Sequence, residues 1–168
     1  MIKNTTFVSK KQAEDYYEPT GKNTRVLISL TTPPNFKSHT KSIGCSPANL
    51  HEDTWKDILR LEFHDADPHK DSDSNEYKVF SVVEAVSILK FLKLHEDSIE
   101  DVIVHCEAGI SRSAGVSKFI AELYKLKFPQ NYSVYNKHVF STLMSTYVEC
   151  LYNTGPLKLE ELPFSNKE

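Results

Sequence analysis

Short runs of β-branched and aliphatic residues recur along this chain, and several are followed by segments whose apolar positions repeat at helical spacing. Arg25-Val26-Leu27-Ile28-Ser29-Leu30 is an apolar run bounded by turn residues and predicts a buried strand. Ile58-Leu59-Arg60-Leu61-Glu62-Phe63 alternates apolar and polar positions, and Asp101-Val102-Ile103-Val104-His105 is β-branched; both predict strands. A shorter strand is expected at Phe7-Val8, before a brief helix over Lys10, Lys11, Gln12, Ala13 and Glu14. Val82, Val83, Val86, Ile88, Leu89, Phe91 and Leu92 form a helical stripe within about Phe80 to His95. A second helix is expected from Ser113 to Phe128, stopped near Pro129. The last, from about Asn136 to Leu151, has Val139, Phe140, Leu143, Met144, Tyr147 and Leu151 on one side.

Strands alternating with helices predict an α/β fold: a central, mostly parallel twisted sheet of four to five strands flanked by helices. Ligands of such folds bind beyond the carboxyl ends of the strands. The residues just after Phe63 and just after Val104 are therefore expected at the active face. Thr31 to Asp53, with Pro33, Pro34, Gly44 and Pro47, reads as a long irregular connection with room for one helical turn. The 168 residues fit one domain, with a core over about 25–152 and a loose tail over 153–168.

Composition narrows the function. A net charge of -3 gives no broad basic field for nucleic acid, so an anionic substrate must be attracted by a local site. The N-terminal residues lack a signal-like apolar stretch, and no window is apolar enough to insert into a membrane. Cys45, Cys106 and Cys150 are widely spaced and odd in number, which suits free thiols in a reducing, cytoplasmic setting rather than disulfides or a thiolate metal site. The cluster His64, Asp65, Asp67 and His69 reads as a polar turn at a strand end rather than a metal site.

The chemistry concentrates in His105-Cys106-Glu107-Ala108-Gly109-Ile110-Ser111-Arg112-Ser113. A strand ends here, a short loop follows and a helix begins. Successive backbone N–H groups and the helix N-terminus make such a loop an anion cradle. Gly109 permits a backbone conformation or close approach that a side chain would obstruct. Arg112 can hold two oxygens of a tetrahedral phosphate through its planar fork, and the same positive surroundings favour the thiolate form of Cys106.

This string resembles the signature loop of the cysteine-dependent protein tyrosine phosphatase superfamily, and most of all its dual-specificity branch. The likeness spans about Arg25 to Leu151, with its specificity concentrated in the loop. It implies that Cys106 attacks phosphorus to form a phosphocysteine, that Arg112 binds ground and transition states, and that Ser113 assists departure of the thiolate. Glu107, Ala108, Gly109, Ile110 and Ser111 would bind substrate mainly through backbone N–H groups, with His105 shaping the cysteine's surroundings. The family's general acid is an aspartate on a loop after a neighbouring strand. Asp65 matches that arrangement, with Asp67 as the alternative acid and Asp71 or Asp73 as further ones. Asn136 resembles a family asparagine that braces the loop. No cofactor and no metal are implied.

Phosphoinositide-directed relatives line this loop with lysines, whereas Glu107, Ala108, Ile110 and Ser111 add no positive charge. The expected partners are therefore phosphorylated proteins carrying phosphotyrosine and phosphoserine or phosphothreonine. A binding module that recognises phosphoproteins without turnover, and a phosphatase of RNA 5′-phosphates or phospholipids, are the alternatives. Sulfur transfer and arsenate reduction fit the loop less well. Tyr16, Tyr17, Tyr132 and Tyr135 read as packing or surface residues, Cys150 as packing, and Lys37 and Lys41 as solvated loop.

Overall fold

The computed structural model describes residues 1–18, 24–33, 46–68 and 77–154. Cys45, Lys37, Lys41, His69, Asp71, Asp73 and the expected tail beyond Thr154 lie outside the described residues. The elements run β1 (Asn4–Ser9), α1 (Lys10–Glu14), β2 (Arg25–Thr31), a 3-10 turn (Glu52–Thr54), β3 (Ile58–Glu62), α2 (Val82–His95), β4 (Asp101–Cys106), α3 (Arg112–Tyr124) and α4 (Lys137–Thr154). The four strands form one sheet in the order β1-β4-β2-β3, and every pairing is parallel. The protein is thus an α/β fold with an all-parallel central sheet flanked by helices.

The two central strands have the apolar character that burial on both faces demands. Val26, Ile28 and Leu30 of β2 and Val102, Val104 and Cys106 of β4 enter one continuous core with residues of α2, α3 and α4. On the opposite face of β2, Leu27 and Ser29 are also fully buried. α3 packs on β1 and β4, and α4 packs on α2 and α3. Both Cys106 and Phe63 therefore stand at the carboxyl ends of parallel strands.

Several boundaries differ from the sequence expectation. β1 is six residues long and pairs with β4, and Ile2 is buried in the core, so the folded unit begins well before Arg25. Its Asn4, Thr5 and Thr6 are polar because β1 is an edge strand with only one partner. α3 stops at Tyr124 rather than near Pro129. Lys125 adopts a left-handed conformation (φ 55°, ψ 43°), and the Leu126 N–H turns back to the Ala121 carbonyl at 2.8 Å. This is a Schellman-type stop with lysine where glycine is usual. Val82 and Val83 lie in the first turn of α2 and are exposed, as is Leu151 on α4. They extend the apolar stripes without entering the core. Cys150 packs in the core as expected.

Candidate active site

The loop from Cys106 to Arg112 is held by its carbonyl groups. The Glu107 carbonyl accepts from the Lys10 N–H at 3.2 Å. The Ser111 carbonyl accepts from the N–H groups of Gly115 (2.9 Å) and Asn136 (3.0 Å). The Ile110 carbonyl accepts from the Tyr132 hydroxyl at 2.7 Å. A trans peptide sets its N–H opposite its C=O, and no peptide among the described residues is cis. Anchoring those three carbonyls outward therefore turns the N–H groups of Ala108, Ser111 and Arg112 to the inner side of the loop, where an anion would sit.

Gly109 is demanded by the fold. Its φ is +71°, and a Cβ there would lie 2.3 Å from the Ser9 nitrogen and 2.5 Å from the Val8 carbonyl carbon. The β1–α1 corner against which it presses is itself fixed by a capping box between Ser9 and Gln12. Gly115 plays a comparable part on α3, where a Cβ would come 2.8 Å from the Asn136 carbonyl oxygen. Close approach there lets the start of α4 reach the loop.

Cys106 ends β4 with its sulfur buried, and its Sγ lies 3.1 Å from the Ser113 Oγ in the first turn of α3. A hydroxyl at that distance can donate to a sulfur anion. Arg112 is 4% exposed, and its Nη1 donates to the Phe63 carbonyl at 2.7 Å, with the guanidinium over the Phe63 ring. Its Nε is buried and has no protein partner. Native proteins rarely leave a buried N–H donor unpaired, and a phosphoryl oxygen is a suitable acceptor.

Asp65 is brought to the loop from the end of β3. Its Oδ1 accepts from the Ser111 hydroxyl at 2.8 Å and from the Asn136 side-chain amide at 2.7 Å. Both bonds fall on Oδ1 rather than Oδ2. Asn136 is nearly buried and works three ways: its N–H holds the loop, its amide holds Asp65, and its Oδ1 caps α4 at the Val139 N–H, 2.9 Å away. Asp67 is half-buried two residues on. It lines, with Asp65, Ser111, Asn136 and Lys137, a cleft of about 400 Å³ beside the loop. Asp65 is thus tied to the loop through Ser111 and to the start of α4 through Asn136. Asp65→Asn is expected to lower kcat on phosphopeptides about 100-fold, and much less on nitrophenyl phosphate, whose leaving group needs little protonation. A larger effect from Asp67→Asn would transfer the acid's role to Asp67.

His105 faces the other side of β4 from Cys106. It is 1% exposed, and its Nε2 lies 2.7 Å from the Oγ of Ser29, its register neighbour on β2. Burial pushes the imidazole down to about 4, so it is neutral at pH 7 and supports the loop through packing. Its folded value lies below the ordinary 6.5, so the unfolded chain binds the proton first as pH falls. Stability should therefore be highest above pH 6.5 and should decline towards pH 4. By pH 4.5 this one group should cost roughly 2–3 kcal/mol. Urea midpoints at pH 7 and 4.5 should converge less in wild type than in His105→Gln; equal losses would refute the assignment.

His64 precedes Asp65 at the end of β3 and is bonded to Lys78. Its Nδ1 accepts from the Lys78 N–H at 3.0 Å, its own N–H donates to the Lys78 carbonyl, and burial lowers its imidazole. These bonds close the connection between β3 and α2. Tyr132 packs as the sequence leads one to expect, but the bond from its hydroxyl to Ile110 and the Asp65–Asn136 bond are not legible there. Neither contact leaves a local pattern, since the first spans 22 residues and the second 71. Comparison with family models and with curated proteins returns no match. The site is therefore read from its own geometry. No helix among the described residues is long and apolar enough to cross a membrane.

Proposed function

We propose that the protein is a cysteine-dependent phosphatase that hydrolyses phosphate monoesters on proteins, phosphotyrosine and also phosphoserine or phosphothreonine. The observation that carries this reading is the buried Arg112 guanidinium. Its Nη1 is tied to Phe63, its Nε lacks a partner, and it stands in a loop whose amides turn inward beside the Cys106 sulfur. In this mechanism the bound phosphoryl group lies over Cys106, which attacks phosphorus as the P–O bond to the leaving group breaks. Asp65 donates its proton to the departing oxygen through Oδ2. A phosphocysteine results. Asp65, now a carboxylate, takes a proton from water as that water attacks phosphorus. The P–S bond breaks, the electron pair returns to sulfur, and the Ser113 hydroxyl stabilises the thiolate. Every step is carried by the chain's own residues. A reducing, cytoplasmic setting suits a nucleophile that must remain a thiol.

Protein substrates are favoured over polyphosphorylated lipids because the exposed loop side chains, Glu107, Ala108 and Ile110, offer no cation for a second phosphate. The test is turnover of nitrophenyl phosphate in chelator, followed by a panel of phosphotyrosine, phosphoserine and phosphothreonine peptides beside RNA 5′-phosphates and phosphoinositides. Release of phosphate from the peptides is the expected result. Oxyanion binding with no turnover would replace the enzyme by a phosphoprotein-binding module, and faster turnover of RNA or lipid would replace the substrate class.

A further inference from the structure

The hydrogen bond from the Tyr132 hydroxyl to the Ile110 carbonyl is used by none of the chemical steps above. Tyr132 lies in the connection between α3 and α4. Its ring packs against Phe7 of β1, with centroids 4.9 Å apart, and against Phe128 at 6.0 Å. Phe7 and Phe128 are 5.7 Å from each other, and the Lys118 ammonium of α3 sits 5.3 Å from the Phe128 ring. The ring is thus fixed by two aromatic contacts, independently of what the hydroxyl does. Burial and the nearby Cys106 charge both push the phenol up from its ordinary value, so it remains a donor at neutral pH.

The three anchored loop carbonyls differ in kind. Glu107 and Ser111 are held by main-chain N–H groups of α1, α3 and the start of α4, which any sequence would supply. Ile110 is held by a side chain. It is half exposed and follows Gly109, whose positive φ marks a backbone with wide conformational freedom. Rotation of the Ile110–Ser111 peptide would turn the Ser111 N–H away from the anion and aim a carbonyl oxygen at it instead.

We infer that Tyr132 is a positioning residue whose hydroxyl locks the Ile110–Ser111 peptide so that the Ser111 N–H faces the bound oxyanion. The inference rests on the phosphatase reading for the identity of that oxyanion, but binding alone can test it. The probe is tungstate, a tetrahedral dianion, titrated into Cys106→Ser and into Cys106→Ser/Tyr132→Phe. Melting temperatures of both, and kcat and KM of Tyr132→Phe on nitrophenyl phosphate, are measured beside it. Phenylalanine keeps the stacking on Phe7 and Phe128 and removes only the donor. Tungstate affinity and kcat/KM should each fall about tenfold, the worth of one well-placed hydrogen bond, with the melting temperature unchanged. Tungstate affinity within twofold of the parent would overturn the role, as would a loss that merely tracks a lower melting temperature. If wild type binds tungstate but hydrolyses no ester, the phosphatase reading fails while the titration still decides the role of Tyr132. Failure of the parent to bind tungstate at all would overturn both.

Discussion

Replacing Cys106 with serine is expected to lower turnover by roughly 10⁴-fold or more while leaving oxyanion binding within a few-fold of the parent. A serine hydroxyl needs a base to become a nucleophile at neutral pH, and no base among the described residues is hydrogen-bonded to the side chain at position 106. His105, the adjacent imidazole, points to the opposite face of β4 and is engaged with Ser29. Among the described residues the sulfur's side-chain hydrogen-bond partner is another hydroxyl, that of Ser113. In the proposed mechanism the oxyanion is held by main-chain amides and Arg112, which the substitution leaves untouched. Loss of turnover with retained tungstate binding is the signature of a nucleophile. Loss of both would mean that the substitution had collapsed the loop, and retained turnover would mean that another group attacks.

Arg112→Lys is expected to cost about 10³-fold in kcat/KM, although the charge is kept. The guanidinium has two tasks in this site. One nitrogen holds the Phe63 carbonyl at the end of β3, and another is left as an unpaired, buried donor. A lysine ammonium is a single point with a longer flexible stem and cannot reproduce the planar fork. It can satisfy the Phe63 carbonyl or the phosphoryl oxygens, but not both in the same geometry. Because Phe63 leads directly to Asp65, loosening that carbonyl should also move the acid. The defect should therefore be larger on phosphopeptides than on nitrophenyl phosphate. An equal defect on both would confine Arg112 to phosphate binding.

Much of the frame was legible because its central strands are buried on both sides. β2 and β4 must be runs of aliphatic residues to satisfy two apolar faces, and such runs are visible without a structure. Cys106 and Arg112 were legible for a related reason. Both lie within one strand-loop-helix junction, so their spacing in sequence is also their arrangement in space. β1 was only partly legible. Asn4, Thr5 and Thr6 belong to an edge strand, where burial on one flank tolerates polar residues, and only Phe7 and Val8 stood out. The end of α3 was misplaced because Lys125 takes a left-handed conformation that carries no sequence signal when the residue is not glycine.

The supports of the site were the least legible part. Asp65 was legible as an acid candidate, beside Asp67, from its position after a strand, but its hydrogen bonds from Ser111 and Asn136 were not. Those residues come from two other elements. Asn136 was expected to brace the loop; its main-chain N–H donates to the Ser111 carbonyl. Its grip on the acid emerges only from the fold. Likewise Gly109 was expected to need freedom, yet its neighbour is the β1–α1 corner, which no local pattern connects to residue 109. Contacts of that kind depend on which elements the topology brings side by side.

In the proposed reaction the Cys106 sulfur takes the phosphoryl group from the ester. That transfer is captured by mixing the Asp65→Asn variant with nitrophenyl phosphate, quenching rapidly under denaturing conditions, and mapping phosphorylated peptides by mass spectrometry. The expected result is a phosphoryl group on Cys106, absent from the Cys106→Ser/Asp65→Asn control. Phosphate release with the label on a different residue, or with no covalent label while Cys106→Ser keeps its activity, would contradict the account.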